Sequence, residues 1–249
     1  MKMARVFITG SSAGLGQMAA ELLISQGHQV VLHARNKTRA AEALANVPGP
    51  EGVLTGDLAS IDETKQLAAD VNALGRFDAV IHNAGINRGS GKDILTVNTL
   101  APYLLTCLIR KPDRLIYVGS DMHRHGSPSL KHISSGKGNV SYSDSKLYLI
   151  WLMKAVTRKW PEVYANAVDP GWVPTRMGGR AAPDNLEQGF ETQAWLAVSN
   201  DARAKVSGRN FFHKQEADVH PEGDNIALQE ELLSVCEQIT GVRLPQSTS

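Results

Sequence analysis

The eight residues T-G-S-S-A-G-L-G, Thr9 to Gly16, decide the fold. They join a short β-branched and apolar run at 4–9 to the helical pattern Q-M-A-A-E-L-L-I-S-Q-G that begins at residue 17. Glycines at 10, 14 and 16 let the backbone turn sharply and come close to an anion. A helix starting there offers free N–H groups and the positive end of its dipole to a phosphate. Tight strand-to-helix turns need glycine for steric reasons alone, so the triplet gains its meaning from its place in the first β-α turn of an alternating chain. No lysine follows the last glycine, which argues against a triphosphate-binding P-loop.

Working outward, short β-branched runs alternate with longer amphipathic segments to beyond residue 210. The pattern predicts strands near 4–9, 29–34, 51–56, 77–82, 114–119, 163–169 and 209–213. Helices are expected near 14–27, 37–46, 61–73, 91–110, 141–159, 186–199 and 225–239. Parallel strands need crossovers, and crossovers are right-handed, so the helices must cover both faces of one sheet. The expectation is α/β: a three-layer, doubly wound (Rossmann) parallel sheet of about seven strands, in one domain spanning residues 1–249. The less regular stretches 121–141 and 172–185 follow strands at their carboxyl ends, where such sheets bind ligands, and should shape a substrate pocket. Pro102 is expected to kink the helix at 91–110.

Composition narrows the function classes. The 249 residues carry 26 Lys+Arg against 25 Asp+Glu, leaving no excess of positive charge for nucleic acid or an anionic membrane. Cys107 and Cys236 lie too far apart for a disulfide framework or metal-ligand spacing, and a reducing cytoplasm is expected. The longest apolar stretch, Leu147 to Val156, is far short of the roughly 20 residues that span a bilayer, and no signal region is expected before Thr9. His123, His125 and His132 have no cysteine or carboxylate at ligand spacing, so no metal site is expected. Nine of the ten residues from Leu147 to Val156 are apolar, more than one sheet-facing stripe requires. That excess, with Tyr148 or Trp151 as anchor, points either to a homodimer or tetramer or to packing against the helix at 91–110.

The end of the second strand, where a carboxylate would hold the adenosine ribose of NAD, reads H-A-R-N-K at 33–37. No acid is present, and Arg35 suits a 2′-phosphate, which points to NADP(H). Asp57, followed by Leu58 after the third strand, is placed to accept from the adenine amino group, while Ser60 is the better cap for the next helix. Farther on, S-Y-S-D-S-K puts Tyr142 and Lys146 four residues apart on one helical face. A phenol, with a reference pKa of roughly 10, carries protons poorly at neutral pH, but a fixed ammonium beside it favours the phenolate. Together they make an acid/base pair.

T-G-S-S-A-G-L-G at 9–16, H-N-A-G at 82–85, V-N-T-L-A-P-Y-L-L-T at 97–106, V-G-S at 118–120, Y-S-D-S-K at 142–146 and D-P-G-W-V-P-T at 169–175 resemble, in order, the short-chain dehydrogenase/reductase family. The resemblance covers residues 4 to about 213 and implies a role for each matching position. Tyr142 would be the general acid/base, and Lys146 would favour its ionised form and bind the nicotinamide ribose. Ser120 would hydrogen-bond the substrate oxygen, and Asn98 would help hold a water linking Lys146 to solvent. The turn residues Thr9, Gly10, Ser11, Ser12, Gly14, Leu15 and Gly16 would line the dinucleotide. Asn83, Ala84 and Gly85 would pack beside the adenosine ribose, and Pro170, Gly171, Val173 and Thr175 would contact the nicotinamide end. His82 stands where the family often has Asn, a change expected to affect stability more than chemistry. Ser120 lies 22 residues before Tyr142, and the segment between them that begins D-M-H-R-H-G-S-P-S-L-K-H resembles the retinol-dehydrogenase and carbonyl-reductase-like branches. Gly178 and Gly179 would either permit a lid carrying Trp172 and Met177 to close over substrate or end a turn.

The resemblance thus implies hydride transfer between NADP(H) and a carbonyl or alcohol. A non-catalytic NADP(H)-binding sensor or scaffold is the rival reading, and Asn98, Ser120, Tyr142 and Lys146 together argue against it. A sugar-nucleotide epimerase is disfavoured because about 36 residues after the last expected strand leave no room for a substrate domain.

Overall fold

In the computed structural model, which describes residues 3–134 and 139–247, all seven expected strands form. They are β1 (Arg5–Ile8), β2 (Gln29–Ala34), β3 (Gly52–Thr55), β4 (Ala79–His82), β5 (Arg114–Val118), β6 (Tyr164–Asp169) and β7 (Asn210–Phe212). An eighth, β8 (Gln215–Ala217), pairs antiparallel with β7, and the sheet order is β3-β2-β1-β4-β5-β6-β7-β8 with every other pairing parallel. The sheet therefore has one strand more than expected. Its β7–β8 turn uses His213 and Lys214 at positive φ, 49° and 61°, in place of the glycine or asparagine that usually announces such a turn.

The strands are apolar on both faces because both are covered. Along β1, Val6 and Ile8 point into a core shared with helices α1 (Gly14–Ser25), α2 (Lys37–Asn46) and α8 (Leu186–Val198). Phe7 points the other way, into the core shared with α3 (Ile61–Ala73), α5 (Ala101–Leu108), α7 (Tyr142–Lys159) and α9 (Ile226–Thr240). Strand order reverses between β1 and β4, which places the glycine-rich turn and the start of the loop after β4 side by side at the carboxyl edge.

The helix expected at 91–110 is interrupted. It comprises α4 (Gly91–Leu95), a π-helical segment Thr96–Leu100, and α5, with Pro102 in the first turn of α5. In a continuous α-helix residue 102 would donate to the carbonyl of Asn98, and proline has no N–H to give. The short helix α6 (Lys131–Ser134) lies in the stretch expected to be a loop, of which residues 135–138 fall outside the described residues.

The apolar excess of α7 lies inside the chain, which removes the ground on which self-association was expected. Tyr148 and Trp151 are 1% and 0% exposed. Trp151 Nε1 donates to the carbonyl of Glu222, Tyr103 Oη of α5 to that of Val242, and Trp160 Nε1 to that of Pro245. Helix α9 and the segment after it cover the outer faces of α5 and α7.

Candidate active site

The glycine-rich turn is held by its neighbours' backbones. Gly10 has φ +65°, and a Cβ there would stand 2.9 Å from Cα of Ala84. A Cβ on Gly16 would fall 2.8 Å from the carbonyl oxygen of Gly10 and 2.4 Å from Nδ2 of Asn83. That amide donates to the carbonyls of Thr9 and Gly10 at 3.0 and 3.2 Å, and Ala84 N–H donates to Thr9 Oγ1 at 3.1 Å. Asn83 and Ala84 thus clamp the turn. Ser11 is fully buried: its hydroxyl donates to the carbonyl of Ile8 and accepts from His33 N–H, so it shapes the turn from beneath. Gly14, at φ +61°, has no atom within 4 Å of where its Cβ would be. At the start of helix α1 the N-cap residue, Ala13, offers no side-chain cap, whereas α2, α3, α4, α7, α8 and α9 are capped by Asn36, Ser60, Ser90, Ser141, Asn185 and Asn225. The start of α1 therefore has no side chain of its own on its first N–H groups, and the space beside Gly14 is open.

These features fit the pyrophosphate of a dinucleotide. At the end of β2, Arg35 is exposed and in no ion pair among the described residues, while Arg39 pairs with Glu42. Asp57, after β3, accepts from Ala59 N–H, and Leu58 beside it is buried; Ser60 caps α3, as its spacing predicts.

Beside the carboxyl end of β5, α7 begins with a capping box in which Ser141 and Asp144 hold each other's backbone N–H groups. This fixes the first turn that carries Tyr142 and Lys146. Asp144 also accepts from Ser127 N–H at 2.7 Å, tying the loop after β5 to the helix. Lys146 is 4% exposed, and its Nζ donates to the carbonyl of Val118 at 2.9 Å. The same nitrogen lies 5.4 Å from the centroid of the half-buried Tyr142 ring, whose hydroxyl makes no hydrogen bond among the described residues.

Two residues beyond Val118, Ser120 caps a 3-10 turn, Asp121–His125, and its Oγ accepts from Met122 N–H at 3.3 Å. Its own O–H remains able to donate. His123 is buried beneath, with Nδ1–H donating to the carbonyl of Ser120 at 2.6 Å; burial pushes its pKa down. Asp169, at the end of β6, is pushed up by burial against a hydrogen bond from Gly171 N–H.

Asn98 joins the two ends. Its Oδ1 accepts from Ile86 N–H and its Nδ2 donates to the Ile86 carbonyl, both at 2.8 Å, and to Ser145 Oγ at 3.0 Å. Ser145 in turn donates to the carbonyl of Tyr142 at 2.7 Å. A Cβ on Gly85 would sit 3.4 Å from Asn98 Oδ1 and 3.5 Å from Lys146 Nζ, so glycine there keeps a side chain away from the ammonium. Sequence reasoning passed over Ser145, although it stands three residues after Tyr142 on the inward helical face.

The loop after β6 is closed on itself. Val173 is buried, Gly171 has φ +80°, and Trp172 N–H and carbonyl both bond Asp184. Thr175 Oγ1 accepts from Gly178 N–H, and a Cβ on Gly178 would collide with the carbonyl of Val173 at 2.1 Å, so Gly178 and Gly179 close a tight turn. Trp172 and Met177 remain 59% and 44% exposed. Among the described residues no group of three His, Cys, Asp or Glu could hold a metal ion, and no helix is long and apolar enough to cross a membrane.

Residues 4–186 match the family model for short chain dehydrogenase. The chain belongs to that family. It is 45% identical to an uncharacterized oxidoreductase of Emericella nidulans, over 98% of this chain and 99% of that one. With the short-chain dehydrogenase chyC of Penicillium rubens it shares 39% identity over 98% and 100% of the two chains, and with retinol dehydrogenase 14 of Mus musculus 27% over 95% and 86%. Among solved structures, an uncharacterized protein from Mycobacterium paratuberculosis superposes with TM-score 0.81 at 22% identity, covering 97% of this chain and 95% of that one. A blue fluorescent protein from a metagenomic library, in complex with NADPH, superposes with TM-score 0.70 at 20% identity over 84% and 95%. This short-chain dehydrogenase is an oxidoreductase by family.

Proposed function

We propose that the protein transfers hydride between NADP(H) and the carbon of a carbonyl or alcohol substrate, with Tyr142 as general acid/base. The observation that carries this reading is the pairing of a buried Lys146 ammonium with the Tyr142 ring, 5.4 Å from nitrogen to centroid, beside a tyrosine hydroxyl left without a partner among the described residues. Bound NADP(H) supplies the hydride. Tyr142 Oη gives the proton to the substrate oxygen in reduction and takes it back in oxidation. Lys146 stabilises the phenolate charge left between the two, and Ser120, whose Oγ already accepts from Met122, donates its O–H to the same substrate oxygen. Asn98 and Ser145 hold the carbonyl side of Tyr142 so that the helix start does not shift as charge changes. Arg35, Asp57 and the turn Thr9–Gly16 take the adenosine and pyrophosphate, and the preference for NADP(H) rests on Arg35.

Both cysteines are free and buried, which fits a reducing cytoplasm. The test is NADPH oxidation over a panel of aldehydes, ketones and quinones. Consumption with at least one class supports the reading. NADPH binding without turnover on any of them would favour the non-catalytic sensor.

A further inference from the structure

The ring of His33 bridges the glycine-rich turn and the loop after β3. His33 is 3% exposed, at the next-to-last position of β2. Its Nδ1 accepts from Gly10 N–H at 3.0 Å, and its Nε2 lies 2.9 Å from the carbonyl of Gly56. An amide N–H can only donate and a carbonyl can only accept, so the imidazole is neutral with its proton on Nε2. Its main chain makes the matching pair to the turn: His33 N–H donates to Ser11 Oγ at 2.9 Å, and Ser11 N–H donates to the His33 carbonyl at 3.1 Å. One residue thus touches the backbone at Gly10, stands two places before Arg35, and holds the carbonyl immediately before Asp57.

We propose that His33 is a positioning residue for dinucleotide binding, a neutral strut that sets the separation between the glycine-rich turn and the loop after β3. The inference rests on the dinucleotide reading above and concerns only the adenosine half. Loops at a sheet edge are the parts of such a fold that shift most readily, and these two are not joined by any strand ladder, because β1 and β3 flank β2 on opposite sides. With the imidazole in place the two backbones are fixed before cofactor arrives, so less ordering is needed on binding. Without it the half-buried Gly10 N–H and the buried Gly56 carbonyl are left unpaired, or the loops move to find water.

Three side chains separate the possibilities. In H33F a planar aromatic ring, one member larger, remains against Phe7, which now meets His33 edge-on at 6.4 Å, and both hydrogen bonds are lost. In H33N the amide oxygen takes the place of Nδ1 and restores the acceptor for Gly10 alone. In H33Q the amide nitrogen reaches the place of Nε2 and restores the donor for Gly56 alone. The probes are NADPH, adenosine 2′,5′-bisphosphate for one half and reduced nicotinamide mononucleotide for the other, each titrated by calorimetry against full-length protein. The expected result is that H33F weakens NADPH and the bisphosphate by the same factor, about tenfold or more, and leaves the mononucleotide unchanged, while H33N and H33Q each recover part of the loss. At saturating NADPH, turnover stays at the parent's value.

A folded H33F that binds the bisphosphate as the parent does would overturn the proposal, as would a loss shared equally by both half-molecules. Should H33F not fold, H33N carries the same comparison, with the same two outcomes. A parent that binds neither NADPH nor NADH would instead sink the dinucleotide reading and this inference with it.

Discussion

Lys146 Nζ stands 5.4 Å from the centre of the Tyr142 ring while donating to the carbonyl of Val118 at 2.9 Å. The ammonium is therefore held by β5 and offered to the phenol of α7, so the two cannot drift apart without disturbing the sheet. For Tyr142→Phe the expected outcome is turnover lower by roughly two to four orders of magnitude, the usual weight of a positioned acid/base, with NADPH binding nearly intact. Single-turnover rates beside cofactor titrations check it, and equal turnover on any confirmed substrate removes Tyr142 from the mechanism.

His82 makes stability depend on acid. It is fully buried, stacks on Tyr117 at 4.9 Å and shares Thr106 Oγ1 with the Tyr117 hydroxyl, and burial drives its pKa from 6.5 down to about 3. The unfolded chain takes up a proton near pH 6.5 and the folded chain does not, so this contribution is whole above that pH and is lost as pH falls toward 3. At pH 5 the loss is about 2 kcal/mol, which lowers Tm by roughly 4–8 °C in a chain of this size. His33 and His123, also shifted down by burial, act in the same sense, and Asp169, shifted up, acts against them. Calorimetry at pH 7 and pH 5 on the parent and on His82→Asn tests this: the difference between the two pH values should shrink in the variant.

The parts of the fold legible in the sequence were those written in short periods. Buried parallel strands read as V-F-I, V-V-L and A-V-I, and Ser60 declares the start of α3 as its cap. What stayed hidden depends on tertiary contact. The β7–β8 turn carries positive φ at His213 and Lys214 without a residue that favours it, and the π-helical segment at Thr96–Leu100 has the same apolar periodicity as a plain helix. In the site, spacing put Tyr142 and Lys146 on one helical face, and the motifs around them gave the pair its meaning. That the Ser11 hydroxyl turns inward, and that His33 joins Gly10 to Gly56, is set by strands distant in sequence.

The covered faces of α5 and α7 predict a monomer. Tyr103, Tyr148, Trp151 and Trp160 are each at most 1% exposed, and three of their polar atoms bond carbonyls in the last thirty or so residues. Sedimentation at micromolar concentration should give one species at 26.9 kDa. A truncation that removes α9 and the residues beyond it should expose these aromatic rings and aggregate. A stable dimer of the full chain would mean that another surface associates.

Arg35 should decide the choice of cofactor. It is exposed and unpaired among the described residues at the end of β2, and no acid stands in H-A-R-N-K to repel a 2′-phosphate. Charge-assisted hydrogen bonds contribute roughly 1.5–3 kcal/mol, so Arg35→Ala should weaken NADPH binding by about ten- to a hundredfold and change NADH binding little. Lys37, also exposed, can soften the loss. Titrating both cofactors against parent and variant gives the ratio, and a parent that favours NADH refutes the assignment.

Gly10 and Gly14 should fail in different ways when given a methyl group. Both have positive φ, +65° and +61°, so alanine strains the backbone at either by roughly 1–2 kcal/mol. At Gly10 the methyl also meets Cα of Ala84 at 2.9 Å, a backbone atom that Thr9 Oγ1 and the Asn83 clamp hold in place. Gly10→Ala should therefore cost more stability than strain alone and lower Tm further. At Gly14 the methyl enters space with no atom within 4 Å, above the uncapped start of α1. There the loss of stability should stop at the strain, and the methyl should instead obstruct the phosphates, so Gly14→Ala is expected to weaken NADPH binding by at least tenfold with a smaller drop in Tm. Thermal melts and cofactor titrations on the two variants separate the effects. Equal losses of stability would mean that the Ala84 contact relaxes, and an unchanged cofactor affinity in Gly14→Ala would move the pyrophosphate away from this turn.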